Sequence, residues 1–361
     1  MEVRLPDSDQ ALAVTGKHAA FGLEETRPSR SANPIYSVGI YGATGYAGQV
    51  LMSILAHHPN VRVAFATSES SKETVEGMEL VASADAPLAS VDAVFLCLPH
   101  GPSGAMAAKA VEAGVRVIDF SADLRLDSTD VYKAFYKQDH PAPQLLPAPY
   151  GLPEINRAKL IKAKYVANPG CHVTATLLGL YPLAKAGALT GDPLIVDTKT
   201  GISGAGKALK LENMFVEAYG DVRPYNLGRV HRHVPEMEQE LHKLQPIVGP
   251  IIFVPHCVPI DVGLLATIYA RVNPGWSLDR VRETFEVAYK DEPLVSFLPA
   301  GKVAQVKPVA HKNNAVVAVT EGAGDTIIIT SAIDNLRKGA SSQAVQSFNL
   351  MMGLPETAGL L

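Results

Sequence analysis

The chain has 361 residues, room for about two domains of ordinary size. Hydrophobic residues make up 47% and charged residues 19%, and the mean hydropathy of +0.10 excludes a largely disordered chain. Lys and Arg number 32 against 36 Asp and Glu, and the formal net charge of −4 argues against a basic nucleic-acid binder.

Three cysteines without a CxxC pair build no disulfide framework and point to a reducing compartment, so a cytoplasmic location is expected. No membrane partner is expected either, because apolar runs such as 262–270 are cut short by Asp261 and Arg271. Residues 1–35 carry Glu2, Asp7, Asp9, Glu24 and Glu25 without an apolar stretch. They read as a polar, poorly ordered extension and match neither a secretory signal nor a transit peptide.

Residues 35–41 form a short β-branched run that stops at Gly42-Ala43-Thr44-Gly45-Tyr46-Ala47-Gly48. Val50, Leu51, Ile54 and Leu55 then recur at helical spacing until His57-His58-Pro59. Glycines at such a strand–turn–helix junction let a phosphate approach the backbone, and the free amides of the helix start attract it. The spacing is GxxGxxG and not the commoner GxGxxG, so an ordinary βα turn with packing glycines is the alternative. Strands are predicted over 61–67, 91–98 and 115–120, with a helix over 102–113. That alternation implies a parallel sheet covered on both faces.

The third of those strands runs into Asp119-Phe120-Ser121-Ala122-Asp123-Leu124-Arg125. Arg125 suits bidentate contact with a carboxylate or phosphate, or else a structural ion pair with Asp123 or Asp127. Asn168-Pro169-Gly170-Cys171 then leads into an apolar helix reaching about residue 186. A thiol at a helix N-terminus has its thiolate favoured, although a small buried residue fits the position equally well. Cys97 and Cys257 lie in apolar strands and read as inert core.

After a strand over 194–200, residues Gly201 to Lys207 offer amides, the Ser203 hydroxyl and a lysine for an anion. Ala208 stands where a P-loop needs Ser or Thr, so an NTPase is not expected. His231-Arg232-His233 precedes a helix over 234–244 and offers a general acid or base near neutral pH. No metal is expected, because no Cys, Asp or Glu set stands out to complete an HxH site. Apolar runs at 251–255, 264–272, 315–320 and 326–331 suit a mixed or antiparallel sheet. Helices over 234–244 and 278–289 would cover one face of it, and a last helix is predicted over 338–352.

The segments GATGYAG, FSADLRL, YGLPE, NPGC, TGISGAGK, HRHVPE and DNLRKGASSQAVQSFNLM occur in this order. Together they closely resemble the N-acetyl-gamma-glutamyl-phosphate reductase family, within the aspartate-semialdehyde dehydrogenase superfamily, over about residues 36 to 361. The resemblance implies an α/β fold, with a Rossmann-type dinucleotide-binding domain and an α+β catalytic domain built on a mixed sheet. It also implies that the first domain is discontinuous, 36–168 with 335–361, around a catalytic and dimerisation domain over 169–334. A homo-oligomer, dimer or tetramer, is expected.

The implied reaction is NADPH-dependent reduction of N-acetyl-L-glutamyl 5-phosphate to the 5-semialdehyde, with release of phosphate. By motif match Cys171 is the nucleophile and His231 the acid/base, with His233 and Tyr225 lining the substrate. Arg125, Ser203 and Lys207 hold substrate anions, and Asn335 sits near the cofactor.

Gly42, Ala43, Thr44, Gly45, Tyr46, Ala47 and Gly48 take the cofactor diphosphate. Ser68, Ser70 and Lys72 stand where an NAD-specific domain places an acid, so NADP(H) is expected, with Glu69 facing solvent. Two departures stand out: His172 follows the cysteine, and Val262 replaces an arginine usual in the family. A reductase of carrier-linked aminoadipyl or glutamyl phosphate would share these residues. Its acidic carrier wants a basic rim that the net charge does not suggest. An NADP-binding sensor would need neither Cys171 nor His231.

Overall fold

The computed structural model describes residues 35–69 and 74–361. The expected N-terminal extension up to residue 34, and the expected cofactor residues Ser70 and Lys72, lie outside the described residues.

The first half of the described chain runs β1 (Tyr36–Tyr41), α1 (Tyr46–Ala56), β2 (Val61–Ala66) and a small hairpin, β3 (Thr74–Val75) with β4 (Met78–Glu79). It continues through β5 (Ala93–Leu96), α2 (Pro102–Glu112), β6 (Arg116–Asp119), α3 (Thr129–Tyr136), α4 (Pro153–Leu160) and β7 (Tyr165–Ala167). Five of these strands form a parallel sheet in the order β2-β1-β5-β6-β7. The chain leaves β1 in one direction to β2 and resumes on its other side at β5. The crevice at the carboxyl ends of β1 and β5 is therefore a topological switch point, where open α/β sheets take ligands.

The second half begins with α5 (Cys171–Lys185), β8 (Leu194–Gly201), α6 (Phe215–Ala218), β9 (Arg223–Pro224), α7 (Val234–Leu244) and β10 (Ile251–Val258). It ends with β11 (Leu264–Arg271), α8 (Leu278–Tyr289), β12 (Val295–Phe297), β13 (Ala315–Glu321), β14 (Thr326–Ile333) and α9 (Ser342–Met351). Its seven-stranded sheet is ordered β12-β13-β14-β11-β8-β10-β9. β8 pairs with β10, and β12 with β13, in parallel; the other neighbours are antiparallel.

Alternation along β11 sends Leu264, Ala266, Ile268 and Ala270 into a core shared with α5, α7 and α8. α5 is buried from His172 to Ala184, which explains why its sequence is apolar without a polar stripe. Ile195, Ile252 and Tyr269 project from the same sheet and remain exposed.

After β14 the chain makes a π-helical turn over Arg337–Ser341 and returns to the parallel sheet. There α9 buries Ala344, Val345 and Phe348 beside Val38, Ile40, Phe95 and Ile118. The turn is anchored by Lys338, whose Nζ lies 2.7 Å from Glu154 Oε1 and 2.6 Å from Gln346 Oε1 with no solvent exposure. Its C-terminal neighbour Gly339 packs against the start of α5, where a Cβ would fall 2.9 Å from Cys171 Cβ.

Candidate active site

A cavity of about 370 Å³ lies where the turn before α1, the turn before α5 and the loop after β8 meet. A larger groove of about 710 Å³ between α4, α5 and α8 is lined by no cysteine or histidine, so the reactive groups lie in the smaller space.

One wall is the glycine turn. Gly42 has φ +80°, and a Cβ there would meet the Cys97 carbonyl oxygen at 2.5 Å. A Cβ on Gly48 would lie 2.4 Å from the Gly42 oxygen. These two glycines close the turn tightly, while a Cβ at Gly45 would find its nearest neighbour at 3.7 Å. The amides opening α1 have no side-chain cap and no acidic residue in the first turn. Open space, free amides and the absence of negative charge fit the diphosphate of a dinucleotide.

At the end of β2, Thr67 Oγ1 accepts a hydrogen bond from the Gly42 amide, and Ser68 stands 3.5 Å from the Thr44 hydroxyl. Glu69 is exposed and its carboxylate accepts a hydrogen bond from the Ser83 amide; hydrogen bonding by the Ser83 hydroxyl and amide lowers its pKa.

The opposite wall is Asn168-Pro169-Gly170-Cys171. The turn is held by a set of buried polar contacts. Arg125 donates through Nε to Asn168 O (2.8 Å) and through one terminal nitrogen to Phe120 O (2.6 Å). Its other terminal nitrogen lies 3.5 Å from Glu236. Glu236, 1% exposed, accepts from the Gly170 amide at 3.0 Å and from the Tyr150 hydroxyl at 2.6 Å. Arg125 thus pairs with Glu236 and with neither Asp123 nor Asp127. Glu236 escaped sequence reasoning because an acid in the first turn of a helix reads as a dipole effect.

Cys171 itself is half-buried at the cavity wall. Burial pushes its thiol up to about 11, against the lowering pull of the His172 amide and of Arg125. The helix start alone does not produce a thiolate, as its position had suggested, so a proton acceptor is needed. Cys97 is half-buried at the same cavity, on the side of the glycine turn, and is not sealed in the core. Burial and Asp119 raise its pKa far above the usual thiol range. Cys257 is also half-buried and raised by burial.

His233 shares the cavity wall with Cys171 and packs on Gly170, while its Nδ1 is buried without a hydrogen-bond partner. His231 is buried, its ring 4.8 Å from that of His233, and its Nδ1 accepts the His233 amide at 3.1 Å. In the neutral ring the proton therefore sits on Nε2, which makes that atom a donor. Burial and Arg232 push His231 down to about 4, and burial with His231 pushes His172 down to about 3. The two rings are neutral at pH 7.

His172, His231 and His233 each bring a ring nitrogen within 4.8 Å of the others. Both nitrogens of His172 are already hydrogen bonded, to Thr198 and Tyr225, so the group is knitted together by protein contacts.

The third wall is the loop after β8. Asn335 accepts from the Gly263 amide at 2.7 Å and donates to Ser203 Oγ at 3.1 Å, which fixes Ser203 over the cavity. Lys207 reaches across to the Thr44 carbonyl at 3.4 Å. Val262 lies with Ser203 and Lys207 on an adjoining cavity of about 480 Å³.

Two domain families match this chain. The semialdehyde dehydrogenase NAD binding domain covers residues 37–163, and the semialdehyde dehydrogenase dimerisation domain covers residues 171–335. The N-acetyl-gamma-glutamyl-phosphate reductase of Bordetella pertussis is 41% identical over 347 residues, 92% of this chain and 98% of that protein. The protein of the same name from Desulforudis audaxviator is 40% identical over 342 residues, 90% and 97% of the two chains. The chain belongs to the N-acetyl-gamma-glutamyl-phosphate reductase family.

Among solved structures, aspartate semialdehyde dehydrogenase II of Vibrio cholerae has TM-score 0.71 at 19% identity, over 89% of this chain and 99% of that one. The Candida albicans aspartate semialdehyde dehydrogenase, solved with NADP, has TM-score 0.66 at 16% identity, over 90% and 99%. Both share the reductase family's fold. The first half is accordingly a nicotinamide-dinucleotide-binding domain of an oxidoreductase. Among the described residues, no helix is long and apolar enough to cross a membrane.

Proposed function

We propose that this chain reduces N-acetyl-L-glutamyl 5-phosphate to N-acetyl-L-glutamate 5-semialdehyde with NADPH, releasing phosphate through a thioester on Cys171, in cytoplasmic arginine biosynthesis. The observation that carries this reading is the single cavity with the Cys171 helix start on one wall and the glycine turn on the other. A domain pairing of 36–168 and 335–361 around 169–334 is supported by α9, which packs on the parallel sheet. A homo-oligomer through the mixed sheet is supported by exposed Ile195, Ile252 and Tyr269.

The acyl phosphate is already activated, so the protein must supply a thiolate and stabilise an oxyanion. His233, whose Nε2 faces the Gly170 turn ahead of Cys171, takes the thiol proton as sulfur attacks the acyl carbon. The bond to phosphate breaks and phosphate leaves, with Arg125, Ser203 and Lys207 supplying positive charge and donors near it. The glycine turn would hold NADPH, which when bound would supply the hydride for reducing the thioester. His231 donates from Nε2 to the developing oxyanion, as a neutral imidazole donor does elsewhere. The carbon–sulfur bond of the resulting thiohemiacetal then breaks, the aldehyde leaves, and the thiol recovers its proton.

Running the reaction backwards tests this: NADP reduction should require both phosphate and free N-acetylglutamate semialdehyde. Activity only with a carrier-linked aldehyde would select the lysine or ornithine pathway. Cofactor binding without turnover on either aldehyde would leave a sensor.

A further inference from the structure

His172 directly follows the reactive cysteine, is 3% exposed, and has no role in the chemistry above. Its ring bridges two hydroxyls. Nδ1 lies 3.0 Å from Thr198 Oγ1 on β8, and Nε2 lies 2.9 Å from Tyr225 Oη. A neutral imidazole has one N–H and one lone pair, so one hydroxyl must donate to it and the other must accept from it. Burial and the neighbouring His231 keep this ring neutral.

The two arrangements are not equivalent. Thr198 is fully buried, and among the described residues its hydroxyl has His172 as its hydrogen-bond partner. With the proton on Nδ1, the ring would donate to Thr198 and leave the threonine O–H buried without an acceptor, at a cost of about 1–3 kcal/mol. With the proton on Nε2, Thr198 donates into Nδ1, and the threonine hydroxyl and both ring nitrogens are satisfied. The ring then donates to Tyr225 Oη, and the phenol proton is free to go elsewhere. Tyr225 is half-buried; its hydroxyl lies 2.9 Å from the ring of the residue that follows Cys171, and its own ring 5.6 Å from that of His231, on the side where the acyl group would be held. A phosphate or acyl oxygen there is an acceptor, the complement of a phenol O–H.

We propose that Thr198 and His172 form a hydrogen-bond relay that sets Tyr225 as a donor to a substrate oxygen beside Cys171, making both of them positioning residues. This rests on the anionic acyl substrate proposed above. The relay explains why a histidine can follow the cysteine, because a residue without two ring nitrogens would not carry Thr198's orientation through to Tyr225.

The first test is independent of turnover. Nitrogen-15 NMR of histidine-labelled enzyme should place the His172 proton on Nε2, and a proton on Nδ1 overturns the relay. In kinetics, Thr198→Val and Tyr225→Phe should each raise KM for the acyl substrate about tenfold, a hydrogen bond's worth, with KM for NADPH unchanged. Thr198→Ser should restore the parent value. Thr198→Val combined with Tyr225→Phe should be no worse than Tyr225→Phe alone. Additive losses, or a fall in Tm with KM unchanged, would reduce Thr198 and His172 to packing. Should the parent enzyme not turn over the acyl phosphate, the proposed function falls while the NMR result still decides the relay.

Discussion

Gly170 and His233 occupy one another's space: a Cβ on Gly170 would stand 2.3 Å from His233 Nε2. The glycine ahead of the reactive cysteine thus makes room for an imidazole and not for a strained backbone, since its φ is −70°. Gly170→Ala should displace the ring and lower kcat about 10²-fold, the scale of an ångström-sized misplacement. Circular dichroism and Tm should be near the parent's. A fully active, stable alanine variant would mean that His233 moves without consequence.

Cys171→Ser should fold normally and lose turnover, because a serine hydroxyl does not replace the thiolate. Iodoacetamide, followed by peptide mass mapping, should modify Cys171 ahead of Cys97, whose pKa burial raises even further. Bound substrate should protect Cys171. Faster labelling of Cys97 or Cys257, with an active serine variant, removes the nucleophile assignment.

The two histidines of HRH should separate in pre-steady-state kinetics. His233→Asn should slow phosphate release in the first turnover, and His231→Asn should slow the reductive step, each by about 10²–10⁴-fold. NADPH affinity should change little in either. A normal rate for His231→Asn would leave the oxyanion to other donors.

Stability should fall with acidification in a defined window. His172 and His231 are held at about 3 and about 4, below their ordinary 6.5. Between those values the unfolded chain binds more protons than the folded one, so unfolding free energy rises with pH there. Each histidine contributes at most about 1.4 kcal/mol per pH unit. Urea midpoints measured from pH 7 to pH 5 should drop, and His172→Phe should flatten the slope. An unchanged slope would mean that the ring titrates normally.

NADPH should be preferred over NADH in kcat/KM. Glu69 is tied to the Ser83 amide, and Ser68 lies by the turn. Lys72→Ala should lower the preference by removing a cation for the 2′-phosphate. An NADH preference would place the Glu69 carboxylate on the ribose.

Much of this was legible in the sequence because the signals are local. Gly42 is demanded by its own φ of +80° and Gly48 by atoms of the same turn, and the helices at Val234–Leu244 and Leu278–Tyr289 announce themselves by periodicity. β9, β12 and the hairpin are too short to show a period, and α3 and α4 are single short helices between loops. At the site, Cys171 and the histidines stood out as residue types. Glu236 and Thr198 did not, because their roles come from partners 66 and 26 residues away. The π turn at Arg337–Ser341 also escaped, since its residues read as the start of one continuous helix.

The return of α9 to the parallel sheet has a consequence for how the chain is made. During synthesis β1, β2 and β5 emerge early, but the Phe348 ring that rests 5.4 Å from Phe95 follows only after every strand of both sheets. One apolar face of the early sheet therefore stays bare until α9 has been made. Pairings this distant in sequence are slow to form, and the interim surface invites chaperones or aggregation. A stop codon placed just before α9 would spare the mixed sheet's strands and still deny the nucleotide-binding half its core.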